Sequence, residues 1–443
     1  MSVVPVDYSH YYNIMPDGTV KQINPFTGNE VWAVPGRSAR PIDNSRQKSS
    51  AAIIAEEDDR LCSFCSGRYF ETPPEKSRWV RDDKTWEQHN SIPASQYHES
   101  IAEFRSVPNL FEIVTLDYWK KNYGYLPRLS DLNRLREYAD SEMGMRHLRE
   151  ITAYRQALSN GSEHPPHPLS DDEIVQMSEP FFAGCHELVI ARHHIRHNGG
   201  IHPSLASSGL LTPEEHYYYF RITIDSMMDI VERNRYVRYV SIFQNWLQPA
   251  GASFDHLHKQ LVGLDEWGAS VTRQIRMLQN NPNAFNEYAS NFAAMYNLVI
   301  AENDYALAFA GIGHRFPTIE VFSKSVNARP GEHTPEELRG MSDLVGACHA
   351  AMGPEISCNE EWYYSPVDTI VKMPWHVLIK WRVNVTAGFE GGTSIYINPL
   401  TPVELRDKMV PRLYELRNEG LIEGVRIAAE CALKPNMLEY YRG

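Results

Sequence analysis

Residues 251–261 read GASFDHLHKQL, with two histidines one residue apart and a glutamine two residues further on. If this segment is a β-strand, alternate side chains share one face, so His256, His258 and Gln260 point the same way. Three polar groups then meet on one patch. An isolated His-x-His is more often part of a partly solvated strand than of a catalytic or metal site. Evidence for a function therefore has to come from the neighbouring segments.

The same order of elements occurs twice around this segment. The first copy has a strand HELVIARHH, a helix from Thr212 and a strand YVSIFQNWL; the second has TIEVFSKSV, a helix from Thr334 and TIVKMPWHVLIKW. Each helix begins with Thr-Pro-Glu-Glu, in which Thr caps the helix, Pro suits its first position and the second Glu completes a capping box. We predict an internal duplication of one α+β unit. Because Pro374 stands where the first copy has His256, one half is expected to be catalytic and the other supportive.

The length of the chain fits two halves. With 443 residues it exceeds one small core, and we predict halves at 1–265 and 266–443. Apolar residues at helical spacing, with abundant charge, predict a mostly helical insertion at about 112–180. Residues 17–41 alternate turn signals with short β-rich runs, which predicts a hairpin that leads into an arginine-bearing loop.

The charge and the N-terminus narrow the function classes. A net charge of −13 argues against nucleic acid or an anionic membrane surface as a partner, because phosphate backbones and lipid headgroups require clustered Lys and Arg. Small phosphorylated ligands remain compatible, since one or two arginines suffice for them. The N-terminus MSVVPVDYSHYY lacks a basic region and an apolar core, and no run of about eighteen apolar residues occurs. We therefore expect a soluble cytoplasmic protein.

Cys62-Ser-Phe-Cys65 forms a CxxC motif among six cysteines, too few and too scattered for a disulfide framework. The motif is a redox pair, a zinc site or two buried thiols. A redox pair usually opens a helix, and the following GRYFETPPEK does not resemble one, so zinc is favoured if two further ligands exist. His256 is one candidate, and the second is one of three histidines in ARHHIRH: His193, His194 or His197.

If His256 binds a metal, His258 is free. A neutral imidazole is a competent nucleophile toward phosphorus, and the amide of Gln260 would stabilise charge on a phosphoryl oxygen; a core histidine is the alternative. Arg37 and Arg40 in PGRSARP have the fork that suits phosphate, although surface arginines beside prolines are common.

Two further residues have an equally open assignment. Asn245 either hydrogen-bonds a phosphate or caps a turn. Glu390 precedes Gly391 and Gly392, where the backbone allows a ligand to approach closely, so it is either a sugar-binding group or a loop carboxylate.

Taken in order, these motifs resemble the galactose-1-phosphate uridylyltransferase family, a branch of the histidine-triad superfamily. NPFTGNEVWAVPGRSARP resembles its opening hairpin, CSFCSGRYFETPPE its zinc-cysteine loop, FRSVPNLF its nucleoside-binding stretch and FQNWLQPAGASFDHLHKQ its active-site segment. PWHVLIKWRVNVTAGFEGGTSIYINP resembles the C-terminal half of the phosphorylase-like members. The resemblance covers most of the chain apart from the insertion.

The resemblance implies a fold and a set of roles. The fold is α+β, with two fused histidine-triad-like halves, each an antiparallel sheet with packed helices. His258 becomes the nucleophile that forms a nucleotidyl-histidine, assisted by Gln260. The implied Zn²⁺ ligands are Cys62, Cys65, His194 and His256; the implied substrate contacts are Arg37, Arg40, Asn245, Ser253 and Gln260 for phosphates, Asn109 for the nucleoside and Glu390 for the hexose.

The implied reaction is transfer of a nucleoside monophosphate from a nucleoside diphosphate sugar to a sugar 1-phosphate, in a homodimer. Leu110 stands where the family often has Asp after the nucleoside-site Asn, which leaves the base open between uracil and adenine. One alternative is therefore a phosphorylase-like adenylyltransferase that cleaves an ADP-sugar or a diadenosine polyphosphate with phosphate. Another is a nucleotide-binding protein without turnover.

Overall fold

The computed structural model describes residues 6–36, 59–83, 85–160, 169–196 and 204–442. The strands within these ranges are β1 (Tyr12–Ile14), β2 (Val20–Ile23), β3 (Glu30–Ala33), β4 (Ser77–Asp82), β5 (Thr85–Asn90), β6 (Ala102–Pro108), β7 (His186–Ala191), β8 (Ile195–Arg196), β9 (Ser204–Leu205), β10 (Tyr239–Trp246), β11 (His258–Leu264), β12 (Val299–Glu302), β13 (Ala306–Ala310), β14 (Thr318–Ser323), β15 (Cys358–Tyr363), β16 (His376–Trp381), β17 (Ile395–Asn398) and β18 (Arg426–Ile427).

The α-helices within the same ranges are α1 (Leu116–Tyr123), α2 (Leu129–Asp140), α3 (Glu142–Asn160), α4 (Asp171–Ala183), α5 (Pro213–Arg233), α6 (Gly268–Asn280), α7 (Asn291–Met295), α8 (Pro335–Met352), α9 (Gly388–Thr393) and α10 (Pro402–Asn418). In this described part of the chain, no helix has both the length and the apolar character needed to cross a membrane.

Twelve strands form one antiparallel sheet in the order β18-β12-β13-β14-β16-β15-β10-β11-β7-β6-β4-β5. The order is symmetric about the central pair β10–β15. On one side lie β10, β11 and β7, and on the other lie β15, β16 and β14, each set connected in the chain as strand, helix, strand, strand. The predicted α+β fold of two similar halves is therefore confirmed. The boundary at residue 265, directly after β11, stays a prediction.

The two long helices of the repeat, α5 and α8, cover one face of this sheet and pack against each other. Thr212 and Thr334 both form the predicted capping boxes, with Pro at the first helical turn. The strand residues that point toward the helices include Lys259, which is fully buried, pairs with Glu360 and lies over the ring of Tyr219. Because side chains alternate along a strand, the neighbours of Lys259 in β11 face the opposite side of the sheet, away from α5 and α8.

The helices α1 to α4 lie between β6 and β7 in sequence, and these two strands pair directly in the sheet. The predicted helical insertion is thus confirmed. Its inner side packs against Tyr69 and residues 92–97. The hydroxyl of Tyr138 forms hydrogen bonds with the hydroxyl of Tyr97 and with Nδ1 of His147. The insertion is therefore anchored to the first half by a buried polar and aromatic contact.

The N-terminal strands form a second sheet, β1-β2-β3-β17, in which β3 and β17 run parallel. The predicted hairpin in residues 17–41 corresponds to β2 and β3. The turn before β3 contacts the second half so closely that a side chain at Gly313, whose φ is +65°, would lie 2.1 Å from the backbone nitrogen of Asn24. Glycine is therefore required at this contact. Arg37 and Arg40, predicted in the following loop, lie outside the described residues.

Candidate functional site

Four side chains from three distant segments meet beside β11. The potential ligand atoms of Cys62, Cys65, His194 and His256 all lie within 4.8 Å of one another. The two sulfurs are 3.8 Å apart, and the Nδ1 atom of His256 lies 3.4 Å from one sulfur and 3.7 Å from the other. The Nδ1 atom of His194 lies 3.5 Å from the Cys65 sulfur. These four residues could hold a metal ion.

Among the three upstream histidines left open by the sequence, His194 is the one that reaches this cluster. The preceding residue, His193, instead lines a small crevice beside Arg192 and Glu215. His197 lies outside the described residues. Because β7 ends at Ala191, the ligand comes from the irregular turn after the strand, where spacing in sequence does not fix direction.

Hydrogen bonds orient the side chains of the cluster so that their lone pairs can bind a cation. The Nε2 atom of His256 lies 2.7 Å from the carbonyl oxygen of Ala191, which can only accept, so the proton sits on Nε2 and Nδ1 offers its lone pair to the cysteines. Hydrogen bonds from Cys62 and His194 lower the pKa of the Cys65 thiol despite its burial. One thiolate is thus favoured before any metal arrives. The shared proton, with burial, correspondingly raises the pKa of Cys62.

His258 is the first residue of β11, two residues later than the predicted start of the strand. Its Nδ1 atom donates to the backbone carbonyl of His256 over 2.7 Å, so the lone pair of the ring lies on Nε2. Burial lowers the pKa of this imidazole to about 4, which keeps it neutral at pH 7. The ring of Phe64, from the turn between the two cysteines, packs against it at 5.2 Å between centroids.

Gln260 lies two residues along β11 and contacts His186 of β7. Its Oε1 atom is 3.4 Å from His186 Nε2, and its Nε2 atom has no hydrogen-bond partner among the described residues. His186 Nδ1 accepts from the backbone N–H of Ile113, which fixes the ring. His186 Nε2 also lies 3.0 Å from the side-chain nitrogen of Asn109, so His186 lies between two residues with proposed substrate roles.

His186 was not among the site residues predicted from the sequence. Burial lowers its pKa to about 4, as it does for His258. Its position at the start of HELVIARHH carries no motif, and only the pairing of β7 with β11 brings it to Gln260. The predicted repeat was the one sequence feature that could have indicated His186, because it places β7 beside β11, the strand that carries His258.

Asn245 lies at the end of β10. Phe243 pairs with Gln260, so the continuing register places Asn245 beside His258. The Oδ1 atom of Asn245 accepts from Asn359 of β15 over 2.7 Å, and this contact joins the two halves at the site. Asn245 lies within a strand, so the alternative prediction that it caps a turn is wrong.

Ser253 and Glu390 are placed differently. Ser253 is exposed in the loop before β11, and its hydroxyl makes no hydrogen bond with the described residues. Glu390 lies in the short helix α9 rather than in a loop, and its carboxylate accepts from the N–H of Ala387 at the helix start. No contact among the described residues joins Glu390 to His258. Within this chain, the structure therefore does not place Glu390 at the His258 site.

The sequence model of a family described as a domain of unknown function, DUF4921, matches residues 15–440. The chain belongs to this family. No curated protein sequence matches it. Among solved structures, this DUF4921 chain is similar to an ADP-glucose phosphorylase from Arabidopsis thaliana with bound ADP-glucose, at 17% identity and a TM-score of 0.55 over 88% of this chain and 97% of that one.

A GALT-like protein from Arabidopsis thaliana gives a TM-score of 0.54 at 16% identity, over 88% of the DUF4921 chain and 98% of its own. A uridylyltransferase gives 0.42 at 16% identity, over 52% and 76%. The match to the GALT-like protein confirms, for the fold, the resemblance to the galactose-1-phosphate uridylyltransferase family.

The second half of the DUF4921 chain contains a counterpart of His258 without its companions. His376 is likewise the first residue of its strand, and its Nδ1 atom donates to the carbonyl of Pro374 over 2.8 Å. Leu378 stands where β11 has Gln260, and Pro374 stands where the first half has the metal-facing histidine. The two rings share a tautomer, but the strand glutamine and the metal-facing histidine accompany only His258.

Proposed function

We propose that this protein is a nucleotidyltransferase that moves a nucleoside monophosphate from a nucleoside diphosphate sugar to a sugar 1-phosphate through a covalent intermediate on His258. One observation carries the proposal: the Nδ1 proton of His258 is held by the His256 carbonyl, so a neutral Nε2 lone pair is available as the nucleophile. Neither the base nor the sugar follows from this geometry.

The first step forms a bond between Nε2 of His258 and the α-phosphorus and breaks the bond from that phosphorus to the bridging oxygen. The bridging oxygen leaves with its electron pair as part of the sugar phosphate. The ring becomes cationic, and the His256 carbonyl stabilises it through the Nδ1 proton. In the second step a phosphate oxygen of the acceptor attacks the same phosphorus, the P–N bond breaks, and the neutral imidazole returns.

Gln260 is proposed to stabilise the charge on the phosphoryl oxygens. His186 engages its carbonyl oxygen, so the amide N–H groups remain to donate. Asn245 is similarly arranged, because Asn359 donates to its oxygen and its side-chain N–H groups remain free in the described chain. The proposed phosphate roles of Arg37, Arg40 and Ser253, the nucleoside role of Asn109 and the hexose role of Glu390 come from the family resemblance and stay predictions.

We propose Zn²⁺ as the ion of the Cys62, Cys65, His194 and His256 cluster. Zinc bonds of about 2.3 Å to sulfur and about 2.0 Å to nitrogen give tetrahedral edges of about 3.8 Å between sulfurs and about 3.5 Å between sulfur and nitrogen. The distance between the two sulfurs is 3.8 Å, and three of the four sulfur–nitrogen distances are 3.4–3.7 Å. A bound zinc would act structurally, because all four positions are filled by protein, and it would hold the backbone of His256 whose carbonyl orients His258.

A second candidate reaction uses inorganic phosphate as the acceptor and an ADP-sugar or diadenosine polyphosphate as the donor. Leu110 favours it, because the uridylyltransferases often carry Asp at this position, whereas Leu110 packs against the cluster that contains Tyr97, Tyr138 and Phe182 and leaves adenine open as the base. The similarity in fold to the ADP-glucose phosphorylase is consistent with this reaction. Both reactions share the nucleotidyl-His258 step and differ in donor and acceptor.

The test is intact-protein mass spectrometry in mildly alkaline solution, which preserves a phosphoramidate, after incubation with UDP-glucose, UDP-galactose, ADP-glucose and diadenosine polyphosphates in turn. We expect a uridylyl adduct that disappears when a sugar 1-phosphate is added. An adenylyl adduct discharged by phosphate would support the second candidate instead. Stable binding of a nucleotide sugar without any adduct or exchange would favour a binding protein without turnover and contradict both.

Replacing Gln260 with leucine, the residue that β16 carries at the matching position, should lower kcat for nucleotidyl transfer about 100- to 1000-fold. The phosphoryl charge loses a donor, whereas the nucleophile is unchanged, so substrate binding should change much less. Gln279→Leu, on the exposed side of α6, is the matched control and should keep the wild-type kcat. Equal rates for the two variants would remove Gln260 from the mechanism.

A further inference from the structure

A cavity of about 470 Å³ lies beside His376, on the opposite side of the sheet centre from the metal cluster. Residues of β14, β15 and β16 that point away from α8 form its floor. The turn between β2 and β3, the helix α6 and the segment between β13 and β14 form its walls. Its volume falls within the range of sites that bind small molecules.

Three arginines line this cavity without a carboxylate partner among the described residues: Arg273, Arg315 and Arg382. Arg382 donates to the amide oxygen of Asn359 over 2.7 Å and lies over the ring of Phe316 at 4.4 Å. Arg315 lies over the ring of Tyr396 at 4.6 Å. Arg273 makes no hydrogen bond or ion pair with the described residues. Uncompensated guanidinium groups around one cavity are the usual arrangement for binding phosphate.

The acids of the cavity do not offset these charges. Glu361 is paired with Lys380 at 2.6 Å, and Glu320 is hydrogen-bonded to His314 at 2.8 Å. The lining therefore has a local excess of positive charge in a chain whose net charge is −13. An anion is the complementary ligand.

The cavity also has buried polar atoms without partners. Gln274 is 4% exposed, and its Oε1 atom makes no hydrogen bond. The Nε atom of Arg382 is also buried and unpaired. Buried polar groups are rarely left unpaired, because the cost is about 1–3 kcal/mol for each group. Both atoms are covered in this conformation, so a ligand with an anionic oxygen near the arginines and a hydroxyl or amino donor near Gln274 would pair with them after small side-chain rotations.

Apolar rings complete the lining. Phe26 and Phe285 stack with their centroids 4.3 Å apart, and His376 stacks on Phe322 and Tyr363. Because Leu378 replaces the glutamine of the first half, nothing in the described lining could donate to a phosphoryl oxygen from that position. The chemistry of the cavity is that of binding and not of transfer.

We propose that this cavity is a second ligand site, separate from His258, which binds a small molecule carrying a phosphate group and a hydroxyl or amino donor. The phosphate contacts Arg273, Arg315 and Arg382, and the donor contacts Gln274. Both sugar phosphates and nucleoside monophosphates have this chemistry. The site does not depend on the proposed transferase reaction, because Arg273, Arg315 and Gln274 have no role in that reaction and Arg382 reaches the first site only through Asn359.

The test uses Arg273→Gln combined with Arg315→Gln. Arg382 is left intact because Asn359 connects it to Asn245, so its loss would also disturb the first site. Arg276→Gln is the matched control, because Arg276 lies on α6 with Arg273 but does not line the cavity. Titration calorimetry with glucose 1-phosphate, AMP and inorganic phosphate, each used separately, measures affinity and stoichiometry. Intact-mass labelling of His258 by its nucleotide donor serves as the readout for the first site.

We expect at least one of these compounds to bind the wild-type protein and the control at the cavity, and the double variant to bind it at least about tenfold more weakly. Labelling at His258 should be unchanged in all three proteins. Preference for glucose 1-phosphate or for AMP identifies a sugar or a nucleoside ligand. Identical affinities and stoichiometries in the double variant and the wild type, or a crystal soaked with each compound showing it only beside His258, would overturn the proposal.

Discussion

Replacing His258 with glycine is expected to abolish nucleotidyl transfer, with kcat falling at least about a thousandfold. The variant loses the atom that forms the bond to phosphorus, and no neighbouring side chain replaces it, because His256 faces the cysteines and His186 is held by Ile113 and Gln260. The rate of exchange between a nucleotide sugar and labelled sugar 1-phosphate is the measurement. An unaltered rate would rule out the covalent mechanism.

The protein provides an internal comparison for this result. His376 has the tautomer of His258, and burial lowers both pKa values to about 4, so neutral imidazole alone does not distinguish the two rings. Peptide mapping of the adduct should therefore find the nucleotide on His258 and none on His376. The glycine variant should retain the metal content and the unfolding temperature of the wild type, which separates loss of chemistry from loss of fold.

The repeat could be predicted from sequence because its signals are local. Thr212 and Thr334 each form a capping box with a glutamate three residues later, so a single turn of sequence predicts where the helix begins. Both capping boxes are present as predicted. The strand start at His258 was misplaced by two residues, since a loop can present the same alternation for a short distance. The residues alone left the upstream histidine open, because the choice depends on how the chain turns after Ala191, and only the family resemblance pointed to His194.

Contacts between distant segments were not accessible from the sequence. His186 reaches Gln260 only through the pairing of β7 with β11, and the two residues are 74 positions apart. The arginine cavity depends on docking of the N-terminal turn, where Gly313 approaches Asn24, onto the second half. No sequence motif identifies Arg273 or Arg315. An arginine can bind an anion when no carboxylate lies beside it, and the sequence does not show which side chains lie nearby.

About one tightly bound zinc per chain is expected in protein purified without chelator, and Cys65→Ser should remove it. Cys65 contacts the other three members of the cluster, so its loss leaves no complete set of ligands. The unfolding temperature should fall clearly, because metal binding contributes directly to folding. Nucleotidyl transfer should fall too, since the carbonyl that orients His258 belongs to the metal-facing residue His256. Metal analysis and thermal unfolding are the measurements.

Cys431→Ser is the matched control for this experiment. It makes the same chemical change at a half-buried thiol that donates to the carbonyl of Arg426 and lies outside the cluster. This variant should keep its zinc, its unfolding temperature and its activity. Zinc-free wild-type protein with full activity would show that the four side chains hold His256 without an ion. In that case the hydrogen bond from His256 to Ala191 would have to orient the nucleophile alone.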